Sequence, residues 1–245
     1  MFENKKQKQY TVQKIRQTVG KAINQYNMIS ADDQIMVAVS GGKDSLALLE
    51  ILSSRRKALP IHYHLHAAHV ITEDVPYQID VEWLKEFCDG LDVTLHLIYT
   101  KANLETAGNK KPCFACSRNR RKELFQLTNE LGIKKLAFGH HLDDAVETLV
   151  MNMAQHANIS SIPAQLDMFD GKIKVIRPLI FLTNNEMKHY ADILGFPSLK
   201  RECPYEDHTI RYKARAIVEQ MTEMNPKARI NLFNSMNKID FEYLP

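Results

Sequence analysis

A short apolar run, Ile35-Met36-Val37-Ala38-Val39, leads into Ser40-Gly41-Gly42-Lys43-Asp44-Ser45 and then into Leu46, Leu48, Leu49 and Leu52 at helical density. Between a strand and a helix, two glycines let the backbone approach a ligand closely and turn N–H groups toward it. The helix start adds orphan donors and partial positive charge. Lys43 brings a full charge, and Ser40 and Ser45 bring hydroxyls. The chemistry is anion binding. A Walker A loop needs a glycine five residues before its Gly-Lys pair and Ser or Thr after it. Val37 and Asp44 stand there instead, and G-x-G-x-x-G is absent too.

Two further groups are chemically competent. Gly139-His140-His141-Leu142-Asp143-Asp144 follows an apolar run and opens a helical pattern. Adjacent carboxylates can hold Mg²⁺ or steer a proton. Acids are also simply favoured at a helix start, by about 0.3–1 kcal/mol each. Asp143 is expected as the principal functional acid with Asp144 second, while His140 and His141 fit either a ligand or a core role. Cys113-Phe114-Ala115-Cys116 is a C-x-x-C pair, and Cys203 stands in Glu202-Cys203-Pro204-Tyr205. Such a pair serves redox chemistry, zinc or an iron–sulfur cluster, and a zinc set completed by His208 is open. Cys88 falls on a stripe with Ile79, Leu84, Phe87 and Leu91, so it is expected in the core.

The elements that must position these groups alternate. An opening amphipathic helix spans Tyr10 to Met28, with Val12, Ile15, Val19, Ile23 and Tyr26 at helical spacing. Strands are expected at 34–39, 61–70, 93–99 and 136–138. Helices are expected from Leu46, at 76–88, 116–131 and 143–155. A further strand is expected at 173–176. After Thr183 the pattern is helical: 184–194, 209–221 and 226–236, punctuated by Pro197, Pro204 and Pro226. Strand alternating with helix predicts an α/β fold with a doubly wound parallel sheet, whose ligand site lies at the carboxyl ends of the strands. The expected organisation is an N-terminal helical segment at 1–30, a nucleotide-binding domain at 31–182, and a C-terminal helical extension at 183–245 that carries Cys203.

Bulk properties narrow the classes. The 245 residues carry 32 basic against 29 acidic side chains, a net +3, so any polyanion partner must be met by a local patch. From Asn109 to Lys122 there are six basic residues and no acid, and a second basic stretch runs from Lys200 to Arg215. Either stretch would also suit a solvated helix face. With no run of about 18 apolar residues and no apolar segment after the lysine-rich start, a membrane span and a secretory signal are not expected, and a cytoplasmic address follows.

Ser-Gly-Gly-Lys-Asp-Ser after an apolar strand resembles the signature of the PP-loop ATP pyrophosphatases, which cleave ATP between its α- and β-phosphates. The resemblance implies that Ser40, Gly41, Gly42, Lys43 and Ser45 hold the pyrophosphate side. It also implies that Asp44 helps bind Mg²⁺, that adenine lies between Ala38-Val39 and the end of the second strand around Ala67-Ala68-His69, and that Gly139 is among the ATP-binding residues. The Asp-Asp turn is similar to the second signature of the tRNA-modifying members. With the C-x-x-C, the late cysteine and Arg177-Pro178-Leu179, the chain resembles the tRNA 2-thiocytidine synthetase (TtcA-like) family. Its Cys-Pro-Tyr triplet looks more like the 2-thiouridine relatives. The resemblance implies an ATP-dependent tRNA sulfurtransferase that adenylates a pyrimidine C2 oxygen, cytidine being favoured, and replaces it with sulfur. Its cofactors would be ATP, Mg²⁺ and a 4Fe–4S cluster on Cys113, Cys116 and Cys203. Lys43, Asp143 and Arg120 would be catalytic. The partners would be tRNA and a sulfur donor, either sulfide or sulfur derived from a cysteine desulfurase; a homodimer is compatible with it. The alternatives are a 2-thiouridine synthetase, or a PP-loop ligase or small-molecule sulfurtransferase whose cysteines bind zinc or carry persulfide.

Overall fold

A computed structural model describes residues 4–58, 60–75, 79–101, 112–197 and 210–243, the side chains of 112–114 excepted. Helix α1 (Lys5–Gln25) begins where the Asn4 side chain accepts the Lys6 N–H, five residues ahead of the apolar period that announces it. The cap, not the stripe, sets its start. Strand β1 (Gln34–Ala38) leads through the glycine turn to α2 (Lys43–Ala58), and β2 (His64–Thr72) leads to α3 (Val81–Gly90). Next come β3 (Thr94–Thr100), α4 (Pro112–Glu130), β4 (Lys135–Ala137) and α5 (Leu142–His156). A hairpin of β5 (Gln165–Met168) and β6 (Ile173–Ile176) precedes α6 (Asn184–Leu194), α7 (Ile210–Met224) and α8 (Ala228–Ser235).

The six strands lie in the order β3-β2-β1-β4-β6-β5. All pairings are parallel except β5 with β6. The expected doubly wound sheet is therefore present, with one antiparallel edge strand that the sequence pattern does not announce. The chain winds outward from β1 to β3 and then returns to β1's other side with β4. The switch point thus falls between β1 and β4, whose carboxyl ends carry the Gly41-Gly42 turn and Gly139.

Two apolar clusters sandwich the sheet. On one face α2 buries Leu46, Ala47, Leu48 and Leu49 completely, against Ile35, Val37 and Ala67. Full burial of each such leucine contributes about 1.5–3 kcal/mol, so this helix start is firmly held. Cys88 belongs to the same cluster and is fully buried; that environment raises its thiol to about 11, with Asp89 adding a little. On the other face Leu124 of α4 joins Met36, Ala68, Val70, Leu136 and Ile173. Met187 and Tyr190 of α6, Val218 of α7 and Phe233 of α8 all enter the first cluster, so these helices share the main core. No helix among the described residues is long and apolar enough to cross a membrane.

Candidate active site

The phosphate turn is built as its residue types require. Gly41 holds φ +83°, a conformation that L side chains rarely adopt. The Ser45 hydroxyl donates to the Gly42 carbonyl at 2.8 Å and accepts the Ser40 N–H at 3.1 Å; Ser40 Oγ in turn accepts the Gly42 N–H at 3.3 Å. A methyl group on Gly139 would stand 3.0 Å from the Asp44 carbonyl carbon and 3.1 Å from the Ser45 nitrogen. The end of β4 therefore touches the first turn of α2 backbone to backbone.

These contacts leave a cleft of about 320 Å³ at the switch point. Ala38, Val39 and Ala68 supply an apolar wall, and Ser40, Asp44 and Ser45 a polar one. Gly139, His140 and Asp144 come from the β4–α5 junction, while Ser117, Arg120 and Arg121 come from α4. Of the ATP residues expected from sequence, Ala38, Val39, Ser40, Asp44, Ser45, Ala68 and Gly139 line this one cleft, and so does Arg120. Gly41 and Gly42 form the turn beneath it. His69, behind Val39, donates from Nδ1 to the Val39 carbonyl at 2.7 Å and is held neutral, mainly by burial.

Lys43 and Asp143 are placed differently from the two acids of the cleft. The Lys43 ammonium donates to Asp44 Oδ1 at 2.7 Å and to Asn184 Oδ1 at 2.9 Å, which brings the first residue of α6 to the phosphate turn. Asp143 does not line the cleft. Its carboxylate accepts the Asn184 N–H at 2.8 Å and Arg229 Nε of α8 at 2.7 Å, so both oxygens are taken. The two carboxylates, with Asp143 expected from sequence as the principal one, are thereby split: Asp143 holds Asn184, and Asn184 holds Lys43, whereas Asp144 faces the cleft. Asp144 caps the His141 N–H at 3.0 Å and meets Arg211 of α7 at 3.1 Å. Burial pushes its carboxyl up, but His141, His140 and Arg211 outweigh that and hold it below its ordinary value.

His140 also faces the cleft, with Nδ1 sealed from solvent and without a hydrogen-bond partner among the described residues. Burial lowers it to about 4; Asp144 opposes the shift, while Arg177, Arg121 and Arg211 reinforce it. It is a neutral imidazole at neutral pH, offering one donor or acceptor to a ligand. Arg177 is itself lowered to about 10, by burial and then by Arg121. Asn184, Arg211 and Arg229 carry no local signal in the sequence. Only the Thr183–Glu186 capping box flags that a helix begins at Asn184.

Cys116 is half-buried near the start of α4, one residue before the cleft-lining Ser117, and Cys113 stands three residues earlier in the same helix. Cys203 and His208, together with Lys110, Lys111, Lys200 and Arg201, lie outside the described residues. Among the described residues no three His, Cys, Asp or Glu side chains are grouped to hold a metal.

A phosphate turn without a Walker A spacing, at the switch point of a doubly wound sheet and opposite an acidic turn, defines a nucleotide-binding protein of the PP-loop class. A family model described as "PP-loop domain" matches residues 9–200. The tRNA-cytidine(32) 2-sulfurtransferase of Syntrophotalea carbinolica is 35% identical over 237 residues, covering 94% of this chain and 91% of that one. That of Paraburkholderia phytofirmans is 32% identical, covering 97% and 70%. The chain belongs to the PP-loop family, among the relatives named tRNA-cytidine(32) 2-sulfurtransferase. Among solved structures, the U34-tRNA thiolase NcsA from Methanococcus maripaludis with its 4Fe–4S cluster has the same fold, with a TM-score of 0.79 at 22% identity over 97% of this chain and 82% of that one.

Proposed function

We propose that the protein is an ATP-dependent tRNA sulfurtransferase that adenylates the C2 oxygen of a cytidine and replaces it with sulfur. The observation that carries this reading is the shared cleft: the phosphate turn after β1 and the cysteine-bearing helix α4 line one cavity, through Ser40 and Ser45 on one side and Ser117 and Arg120 on the other. The names of the relatives support cytidine at position 32 as the target.

ATP lies with adenine against Ala38, Val39 and Ala68, its β- and γ-phosphates toward Ser40, Gly41, Gly42, Lys43 and Ser45. Asp44 and Asp144 are the carboxylates that reach the cleft and would hold Mg²⁺. The cytidine O2 attacks the α-phosphorus, and pyrophosphate leaves. Arg120 stabilises charge on the transferring phosphoryl group, and Lys43, fixed by Asn184, does so on the leaving pyrophosphate. Sulfide, supplied directly or by thiol reduction of a cysteine desulfurase persulfide, then attacks C2, and the C2–O bond breaks with release of AMP.

Cys113, Cys116 and Cys203 would hold a 4Fe–4S cluster. Cys113 and Cys116 belong to α4, the helix whose Ser117, Arg120 and Arg121 line the cleft, and cysteine sulfur is the usual ligand of such clusters. Held by these cysteines, the cluster would supply a binding site for inorganic sulfur.

Anaerobically reconstituted protein should be incubated with ATP, sulfide and tRNA from a strain lacking thiolation, and the RNA digested to nucleosides. The expected product is 2-thiocytidine, with one AMP and one pyrophosphate per sulfur. 2-Thiouridine would reassign the base, and absence of both thionucleosides would refute the reading.

A further inference from the structure

A second, larger hollow of about 800 Å³ opens on the outer side of α4, between that helix and the β5–β6 hairpin. It meets the ATP cleft at Ser117 and Arg121, which line both. Its floor is aromatic: Phe125 of α4 and Phe169 of the hairpin turn meet edge to face, with ring centroids 5.2 Å apart. Its walls are cationic, with Arg118, Arg121 and Lys122 on α4 and Lys172 on the hairpin, and among the described residues no carboxylate lines it.

The turn that presents Phe169 is unusual. Phe169, Asp170 and Gly171 adopt φ of +54°, +57° and +82° in succession. Glycine accepts this freely, but a bulky aromatic residue does so at a cost of order 1 kcal/mol. The ring nevertheless stays 52% exposed, so burial does not compensate for the strain. A large exposed ring on a strained turn, facing four cations, matches the demands of an unstacked nucleotide: an apolar face for the base and positive charge for the flanking phosphates.

We propose that this hollow binds one splayed-out nucleotide of the RNA substrate, adjacent to the base being modified, with its base on Phe169 and Phe125 and its phosphates on Arg118, Lys122 and Lys172. The inference rests on the tRNA reading above and extends it to a second subsite. Continuity through Ser117 and Arg121 lets neighbouring nucleotides occupy the two cavities together. Because every base has a π-face, such a subsite fixes the position of the strand without demanding a particular sequence.

The test uses the complete, reconstituted protein and unthiolated tRNA bearing 2-aminopurine at either neighbour of the modified nucleotide, read by fluorescence and by affinity across a salt series. With wild-type protein, binding should change the emission of one of the two probes, as stacking on an aromatic ring does. Phe169→Asn removes the ring yet suits the left-handed turn, so its melting temperature should hold while tRNA affinity falls about tenfold and the probe signal disappears. Lys172→Ala should keep the probe signal but lower the log–log salt slope by about 0.7–0.9. Wild-type affinity and probe signal in Phe169→Asn would overturn the subsite while leaving tRNA thiolation intact. A wild-type protein that neither binds nor thiolates tRNA would take down the functional reading and the subsite together. Concentration-dependent dimers that Phe169→Asn abolishes, with RNA binding unaltered, would assign the hollow to a second copy instead.

Discussion

Replacing Gly139 with alanine adds one methyl group where β4 meets the first turn of α2. The new carbon would lie 3.0 Å from the Asp44 carbonyl carbon, 3.1 Å from its oxygen and 3.1 Å from the Ser45 nitrogen. Carbon atoms in contact prefer about 3.5–4.0 Å, so roughly half an ångström of displacement is required. These neighbours are backbone atoms, and α2 cannot retreat easily because Leu46, Ala47, Leu48 and Leu49 are fully buried behind them. Overpacking of this kind costs about 1–3 kcal/mol in stability. The strain falls on the phosphate turn itself. If a 1 Å error in a reacting group costs about 10²-fold, half of that predicts roughly a tenfold loss in turnover. The assay is AMP release with ATP and tRNA, beside a thermal melt of the same preparation. A Gly139→Ala protein that melts and turns over like wild type would refute the close-approach argument, whereas equal loss in a Gly90→Ala control, where nothing lies within 4 Å and the backbone suits alanine, would show a general fragility.

Asp143→Asn should cost about 3 kcal/mol in chemical denaturation, because Arg229 loses its buried counter-charge, whereas Asp144→Asn should leave the fold close to wild type and reduce AMP release at least 10²-fold. The reverse order would return Asp143 to the role of direct catalyst. His140, lowered to about 4 from an ordinary 6.5, is neutral in the folded protein and protonates more readily in the unfolded chain. Its contribution to stability is therefore complete above about pH 6.5 and is lost as pH falls toward 4, by about 2 kcal/mol after allowing for screening in the open cleft; urea midpoints at pH 7 and 4.5 should show this loss, and His140→Gln should shrink it. Cys116→Ala should lose iron on anaerobic reconstitution, measured by iron content and absorbance, while Cys88→Ser keeps it, since Cys88 lies in the core with its thiol raised to about 11.

The half of the site built by consecutive residues is legible in the sequence, because local types force local geometry. An apolar strand, two glycines and a helix start specify the phosphate turn, and Ala38, Val39 and Ala68, among the residues expected to flank adenine, line one cleft. The doubly wound sheet is legible for the same reason, since buried strands of β-branched and apolar residues alternate with amphipathic helices. Strand β5 escapes that logic: Gln165-Leu166-Asp167-Met168 is a four-residue edge strand whose middle residues face solvent, so its only claim to be a strand is its pairing with β6. Asp143 and Asp144 look alike in sequence, and only partners 41 to 86 residues away, Asn184, Arg211 and Arg229, tell them apart. The strained Phe169 turn is similarly silent, because left-handed backbone at a phenylalanine has no compositional signature.

Helix α5 carries Asp143, Asp144 and Glu147 within five residues, and each finds its cation late in the chain: Arg229, Arg211 and Arg215 respectively. During synthesis the sheet and phosphate turn emerge first, with Asp144 at the cleft and Asp143 and Glu147 on the same helix all lacking their arginines. A ribosome stalled before α7 would therefore display a sheet that is largely assembled, beside a helix whose three acids still wait for their counter-charges.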